Sequence, residues 1–317
     1  MRTVKVSVVI PTKNAGPAFR ETLEALKEQE YEGQIELVFI DSGSTDETVS
    51  IARSYGAIVK SIPPEEFNHG LTRNIGIEMA TGEIVVLMSQ DVLPGDRNLV
   101  KNFVTAFEDP KVAGAYARQL PRDNADILTK RNLNQWLTGR DTEEVRWIQD
   151  WDAYKKLNPM QRHFFYNFDN VCSAIRKSVW QTIPFRANDF GEDIDWSQQV
   201  LEAGWKIAYW PKSYVFHSHE RSFMYEYRRN LQTSRKLYEQ YRLRLVESLG
   251  HMVLLILRIT MRDWTYVLQH ERRIKELLKM LILIPFLSFA TLYGQYVGLK
   301  AAEANLSIEK HSQEMAS

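Results

Sequence analysis

Gly82–Pro94, GEIVVLMSQDVLP, decides the fold. Its first half, Ile84–Met88, is an unbroken apolar run, the pattern of a strand buried on both faces. Its second half, Ser89-Gln90-Asp91, is a polar edge that ends on a carboxylate. In α/β sheets, ligands bind in the crevice outside the carboxyl ends of the strands. A carboxylate there can hold a divalent metal, and the metal can hold a phosphate.

Upstream, strands and helices alternate. Val4–Ile10 is a β-branched run followed by the loop Pro11-Thr12-Lys13-Asn14. Residues 18–29 have helical spacing, with Phe19, Leu23 and Leu26 on one face. Residues 35–40 form a second strand that ends at Asp41, and Ser44 with Glu47 makes a capping box that starts a helix there. That helix stops near Gly56, and residues 57–61 form a short third strand. After the Pro63-Pro64 break, a helix is expected over residues 72–80, ended by Gly82. This alternation predicts an α/β fold with a mainly parallel sheet.

Downstream, Asp96 is placed to cap a helix running through Phe107, and residues 112–117 form another strand. The polar, Trp- and Arg-rich stretch 118–167 reads as a helical excursion over the active-site face, part of an acceptor site. Residues 170–175 are a strand, and DFGEDIDW, Asp189–Trp196, is a loop feeding a helix that ends near Gly204. Two short strands follow, at 206–210 and 214–217. Beyond residue 220 only long basic helical segments appear, so residues 1–220 are taken as one domain and 221–317 as a helical C-terminal region.

The 317 residues carry 40 Lys and Arg against 40 Asp and Glu, so net charge gives no argument for a nucleic-acid partner. The single cysteine excludes an intramolecular disulfide and fits a reducing compartment. No apolar h-region opens the chain, so no signal peptide is expected.

Several residues could carry chemistry. Asp41, at a strand end, suits a carboxylate that bonds a ribose or base, although Asp-Ser-Gly-Ser is also an ordinary turn. No G-x-G-x-x-G follows the first strand, and no Walker motif is present. Arg73 and His69 face the same edge, where a guanidinium can pair bidentately with phosphate oxygens. Asp91 is the metal candidate, and His217 and His219, an H-x-H pair at a strand end, are candidate partners. Glu192, Asp193 and Asp195 place three carboxylates within four positions. Such neighbours raise one another's pKa and suit a general base, while an acidic first helical turn is the plainer alternative. Cys172 reads as core.

Taken together, VVIPTKN (8–14), DSGSTD (41–46), TRN (72–74), SQD (89–91), GED (191–193) and His217 resemble, in order and spacing, the inverting family 2 glycosyltransferases with a GT-A fold. The resemblance implies that Pro11, Thr12, Asn14, Asp41, Ser42 and Gln90 line a nucleotide pocket. Arg73 would contact the diphosphate. Asp91, with His217 and His219, would hold Mn or Mg. His69, Arg122 and Trp196 would face the donor or acceptor sugar. Asp193, with Glu192 beside it, would supply the base. Met88 and Gln90 replace the other acids of the family's D-x-D region, and Ser42 replaces a second aspartate. Both departures, and FNHGLTRN (67–74), are similar to the rhamnosyltransferase branch. The implied donor is dTDP-L-rhamnose and the implied acceptor a polysaccharide or lipid-linked oligosaccharide. A UDP- or GDP-linked donor, a non-catalytic nucleotide-sugar-binding scaffold and a glycoside hydrolase are the alternatives, the last disfavoured by the phosphate-facing arginine.

Residues 280–299 contain no charge, near the length of a membrane span. Pro285, Gly294 and Gln295 favour instead a helix docked at the membrane surface or packed internally or in a homo-oligomer. Residues 221–280 hold 13 Lys and Arg against 6 Asp and Glu, which favours docking on anionic lipid at the cytoplasmic face of the plasma membrane.

Overall fold

The computed structural model describes residues 3–188 and 190–316, with side chains through residue 306. Asp189, at the start of the stretch read as a loop feeding a helix, lies outside the described residues. The chain divides into two compact units. The first holds residues up to Asp123, Asn132–Lys156 and Phe164–Ser218; the second holds Asn124–Arg131, Leu157–His163 and the chain from His219 on.

The strands are β1 (Val6–Thr12), β2 (Ile35–Asp41), β3 (Ile58–Ser61), β4 (Ile84–Met88), β5 (Leu93–Pro94), β6 (Val112–Leu120), β7 (Glu144–Arg146), β8 (Cys172–Arg176) and β9 (Lys206–Phe216). The helices are α1 (Phe19–Lys27), α2 (Thr48–Ser54), α3 (His69–Met79), α4 (Leu99–Ala106), α5 (Ile127–Gln135), α6 (Trp151–Lys155), α7 (Pro159–Phe165), α8 (Lys177–Trp180) and α9 (Glu192–Glu202). Three longer ones follow: α10 (Phe223–Tyr241), α11 (Leu249–His270) and α12 (Ile274–Ala316).

One sheet runs β3-β2-β1-β4-β8-β6-β9-β5, with β7 on β9. The strands β3, β2, β1 and β4 are parallel, as helical connections require. Their register brings Thr12 level with Asp41, and Val9 level with Leu87. Their carboxyl ends therefore share one edge. The β4 side chains are all buried, which explains the unbroken apolar run. Antiparallel β8 then sits between β4 and β6, so the sheet is mixed beyond the parallel half.

Four local expectations give way to the structure. Ser44 does not cap a helix: its hydroxyl and backbone N–H turn back to Asp41, and Asp46 Oδ1 accepts the Thr48 N–H instead. Asp96 accepts from Asn98 N at 2.8 Å, two residues before the N-cap position of α4. The two short strands after Gly204 are a single strand, β9, whose irregular register against β6 absorbs the polar residues between them. The excursion also contains β7, a strand whose partner on β9 lies more than 60 residues away in sequence and leaves no local signal.

Candidate active site

The parallel edge opens on a cavity of about 320 Å³ lined by Pro11, Thr12, Lys13, Ser42, Ser89 and Gln90 on the sheet side. Pro64, Phe67, His69 and Arg73 close the other side. Asn68 begins α3 by accepting from Gly70 and Leu71 N–H groups, so the helix starts at His69, three residues before the sequence expectation. This earlier start puts His69 in the first turn and Arg73 one turn on, both facing the cavity. Gly70 lets α3 approach the chain at residue 186: a Cβ there would stand 2.1 Å from the Arg186 carbonyl oxygen.

The expected nucleotide-pocket residues separate into lining and bracing groups. Ser42 lines the cavity, and its buried hydroxyl has no partner among the described residues. Gln90 lines it too and clamps the loop after β1, accepting from Lys13 N at 2.8 Å and donating to Lys13 O at 3.1 Å. Asp41 is buried, and its carboxylate accepts from Gly43 N, from Ser44 N and Oγ, and from Thr12 Oγ1. It shapes the turn that presents Ser42. Asn14 adopts a left-handed backbone and accepts the Thr45 N–H at 2.8 Å, bracing the same turn.

Asp91 follows β4, with its side chain 44% exposed. His217, just past β9, points Nε2 at Asp91 Oδ2 at 3.4 Å. Its Nδ1 lies 3.3 Å from Gln119 Oε1, and Gln119 Nε2 donates to Asp169 Oδ2 at 2.7 Å. Because the Asp169 carboxylate only accepts, the Gln119 amide must turn its nitrogen to Asp169 and its oxygen to His217. In the neutral imidazole that places the proton on Nδ1 and turns the Nε2 lone pair to Asp91. One carboxylate oxygen and one imidazole nitrogen converge there, a donor pair suited to manganese or, less fully, magnesium. His219 belongs to the second unit, with its ring 5.2 Å from Tyr225. Arg122 donates from Nη2 to the Asp91 carbonyl at 2.6 Å and so braces the turn that carries the carboxylate.

The acidic motif sits at the start of α9. Gly191 precedes it with φ +76°, a backbone that favours glycine and aims the first helical turn at the sheet edge. Glu192 is buried and pairs with Arg73 Nη1 at 2.9 Å; it also accepts from Asn170 Nδ2 at 3.2 Å. It therefore joins the acidic helix to the cavity arginine. Asp193 accepts from the Asn170 and Ile194 N–H groups. Burial first, then the charges of Glu192 and Asp169, push its pKa well above the usual carboxylate range. The third charge comes from Asp169, which precedes β8, while Asp195 accepts from the Asn188 side-chain amide.

Trp196 corrects another expectation. It is 0% exposed, packed against Phe168 and Phe185, and its indole N–H donates to the Ile183 carbonyl. No face is open to a sugar, so Trp196 anchors α9 on the sheet. Cys172 is buried on β8, where burial raises the pKa of its thiol, consistent with a core residue. Gln119, Asp169 and Asn170 were not among the sequence candidates. The strand that carries Gln119 runs to Leu120, three residues past its expected end.

A parallel strand edge, a cavity of about 320 Å³ lined by a buried arginine, and a high-pKa carboxyl suit a group-transfer enzyme. The family model for glycosyl transferase family 2 matches residues 7–185, and the chain belongs to that family; it is a glycosyltransferase. It is 33% identical to the O-antigen chain rhamnosyltransferase WbaN of Salmonella anatum, over 72% of this chain and 70% of that one. It is 31% identical to the O-antigen chain rhamnosyltransferase RfbN of Salmonella typhimurium, over 73% of this chain and 71% of that one. Among solved structures, the mannosyltransferase PcManGT of Pyrobaculum calidifontis, in complex with GDP-Man and Mn2+, superposes with a TM-score of 0.51 at 18% identity, covering 100% of this chain and 81% of that one. TarS of S. aureus in complex with UDP superposes with a TM-score of 0.52 at 15% identity, covering 95% and 92%. These likenesses support the expected GT-A architecture with its added helical region.

Proposed function

We propose that this glycosyltransferase transfers L-rhamnose from dTDP-L-rhamnose to a hydroxyl of a growing surface polysaccharide or lipid-linked oligosaccharide, on the cytoplasmic side of the plasma membrane. The observation that carries the donor and the pathway class is the likeness, above 30% identity over most of both chains, to two O-antigen chain rhamnosyltransferases. The position and raised pKa of Asp193 support a single displacement. Asp193 takes the proton of the acceptor hydroxyl as its oxygen attacks the anomeric carbon. The bond from that carbon to the diphosphate breaks, its electron pair leaves with the diphosphate, and the configuration inverts. A carboxyl held above its usual pKa is a stronger base once ionised, which suits this step.

Ser42, Gln90 and Arg73 bind the nucleoside diphosphate, with the Arg73 fork on its phosphate oxygens. Asp91 and His217 hold a divalent ion, Mn or Mg, by the donor geometry described above. Such an ion, when bound, offsets negative charge on the leaving diphosphate. His69 faces the donor from the first turn of α3, and Arg122 keeps Asp91 in place.

A panel of nucleotide sugars, assayed for binding and transfer with and without chelator, tests this reading. Transfer from dTDP-L-rhamnose that is lost on chelation is expected. Activity confined to a UDP- or GDP-linked sugar would keep the family and overturn the donor. Absence of any nucleotide binding would overturn the assigned roles of Ser42, Arg73 and Asp91.

A further inference from the structure

The second unit carries two adjacent helices with large apolar side chains turned to solvent. On α11 these are Val253, Leu254, Leu257, Met261 and Leu268, spaced as one helical stripe, with Leu254 68% exposed. On α12, Ile274, Leu278, Ile282 and Phe286 recur every four residues, with Ile274 at 72% and Ile282 at 66%. The two helices pair as a hairpin across a three-residue connection. Trp264 on α11 donates its indole N–H to the Leu281 carbonyl at 2.9 Å. That carbonyl has no helical donor, because the residue four positions on is Pro285. The proline is therefore matched to this pairing.

Of the described residues, only those of α12 make a helix long and apolar enough to cross a membrane. Its packing opposes a crossing. Gly294 and Gly298 bring α12 onto the α10 backbone: a Cβ would stand 2.5 Å from Tyr227 O and 2.3 Å from Leu231 O. Phe289 and Tyr293 stack on Phe223 and Tyr227, so α10 lies alongside α12 from Phe289 onward. The helix α10 exposes Arg228, Arg229 and Arg235. A span would carry these into hydrocarbon at roughly 2.5–3.5 kcal/mol each at its centre. The portion of α12 before Phe289 rises only about 1.5 Å per residue over its 15 residues, short of the roughly 30 Å a span needs.

We propose that the α11–α12 hairpin docks on the surface of an anionic lipid bilayer, with its apolar stripes at the headgroup–acyl boundary. The charge around the stripes selects this occupant. Arg258, Arg262, Arg272, Arg273, Lys275 and Lys279 are all exposed. Of the acids between Leu249 and Ser288, Asp263 and Glu271 are buried in ion pairs, which leaves Glu276 beside Lys279. A second copy is a poorer occupant, because a two-fold contact sets this patch against itself and brings two basic flanks together. Anionic lipid satisfies the apolar stripes and the basic flank together. The inference does not depend on the donor or acceptor proposed above.

Flotation of the full chain with vesicles tests it, using phosphatidylcholine alone or mixed equally with phosphatidylglycerol. Binding to the mixed vesicles, much weaker binding to the neutral ones, and loss in high salt are expected. Leu254→Glu with Ile282→Glu should abolish binding. Arg272→Gln and Lys275→Gln should each weaken it about fivefold, from roughly 1 kcal/mol per basic residue. These positions are exposed, so an unchanged circular dichroism spectrum and unchanged nucleotide binding show that the variants fold. Failure to bind either vesicle would overturn the proposal. So would a lipid-free dimer that the paired glutamate substitutions dissociate, which would assign the stripes to a second copy.

Discussion

Glu192 and Arg73 meet at 2.9 Å with both side chains 7% exposed, so the acidic start of α9 and the arginine that lines the cavity at the sheet edge form one unit. Sequence position suggested a second carboxylate for catalysis. The structure commits that carboxylate to Arg73, and the base we propose is its neighbour Asp193. Removing one member of a buried pair strands the other, at a cost of about 3–5 kcal/mol. Glu192→Ala should therefore lower thermal stability and weaken nucleoside diphosphate binding as Arg73 shifts. Arg73→Lys should weaken donor binding because the forked contact is lost. Calorimetric titration with the nucleotide and a thermal melt check both.

Asp193→Asn should leave donor binding nearly intact and reduce turnover by orders of magnitude. Single-turnover measurement beside a donor titration separates the two effects. A near-normal rate would rule Asp193 out as the base.

The raised pKa of Asp193 has opposite consequences for folding and for rate. Its ionisation is harder in the folded chain, so its contribution to stability is complete below its unfolded pKa and is lost as pH rises through the folded one. The base acts only when ionised, so the acid limb of kcat/KM should lie above the usual carboxylate range. Glu192→Gln and Asp169→Asn each remove a charge that raises this pKa, so each should move the limb to lower pH. A pH–rate profile of the three proteins decides it.

Gln119 joins His217 to Asp169 through one amide, its oxygen facing His217 Nδ1 and its nitrogen donating to Asp169 Oδ2. Gln119→Met keeps its length and removes the orientation it imposes. Manganese affinity should fall by about tenfold or more, and the His217 nitrogen resonances should show a loss of the Nδ1–H tautomer. Unchanged resonances with unchanged affinity would show that Gln119 only fills space.

Gly70→Ala tests the approach of α3 to the chain at Arg186. The added Cβ meets a backbone oxygen rather than a flexible side-chain tip. A loss of roughly 1–3 kcal/mol and weaker nucleotide binding are expected. Denaturant melts and nucleotide titration report each.

The sequence by itself determined the parallel half of the sheet, the polar strand edge and the order of the site motifs. These are local properties: unbroken apolar runs, turn residues and strand ends are encoded within about ten residues of one another. It also identified Arg73, Asp91, Asp193 and His217 as residue types able to bind phosphate, metal and proton. Tertiary structure alone decided their partners. Glu192 turns to an arginine 119 positions away, Asp169 replaces Asp195 beside Asp193, and Gln119 stands behind His217 from 98 positions away. Trp196, a plausible sugar platform by position, is sealed between Phe168 and Phe185. At the C-terminus, one apolar stretch fitted a span, a docked helix or a packed one. Two glycines pack one part of it against α10, and the exposed stripes of α11 and α12 are the basis of the docking we propose. The physical reason is the same throughout: sequence spacing fixes what a side chain can do, and only long-range packing fixes what it faces.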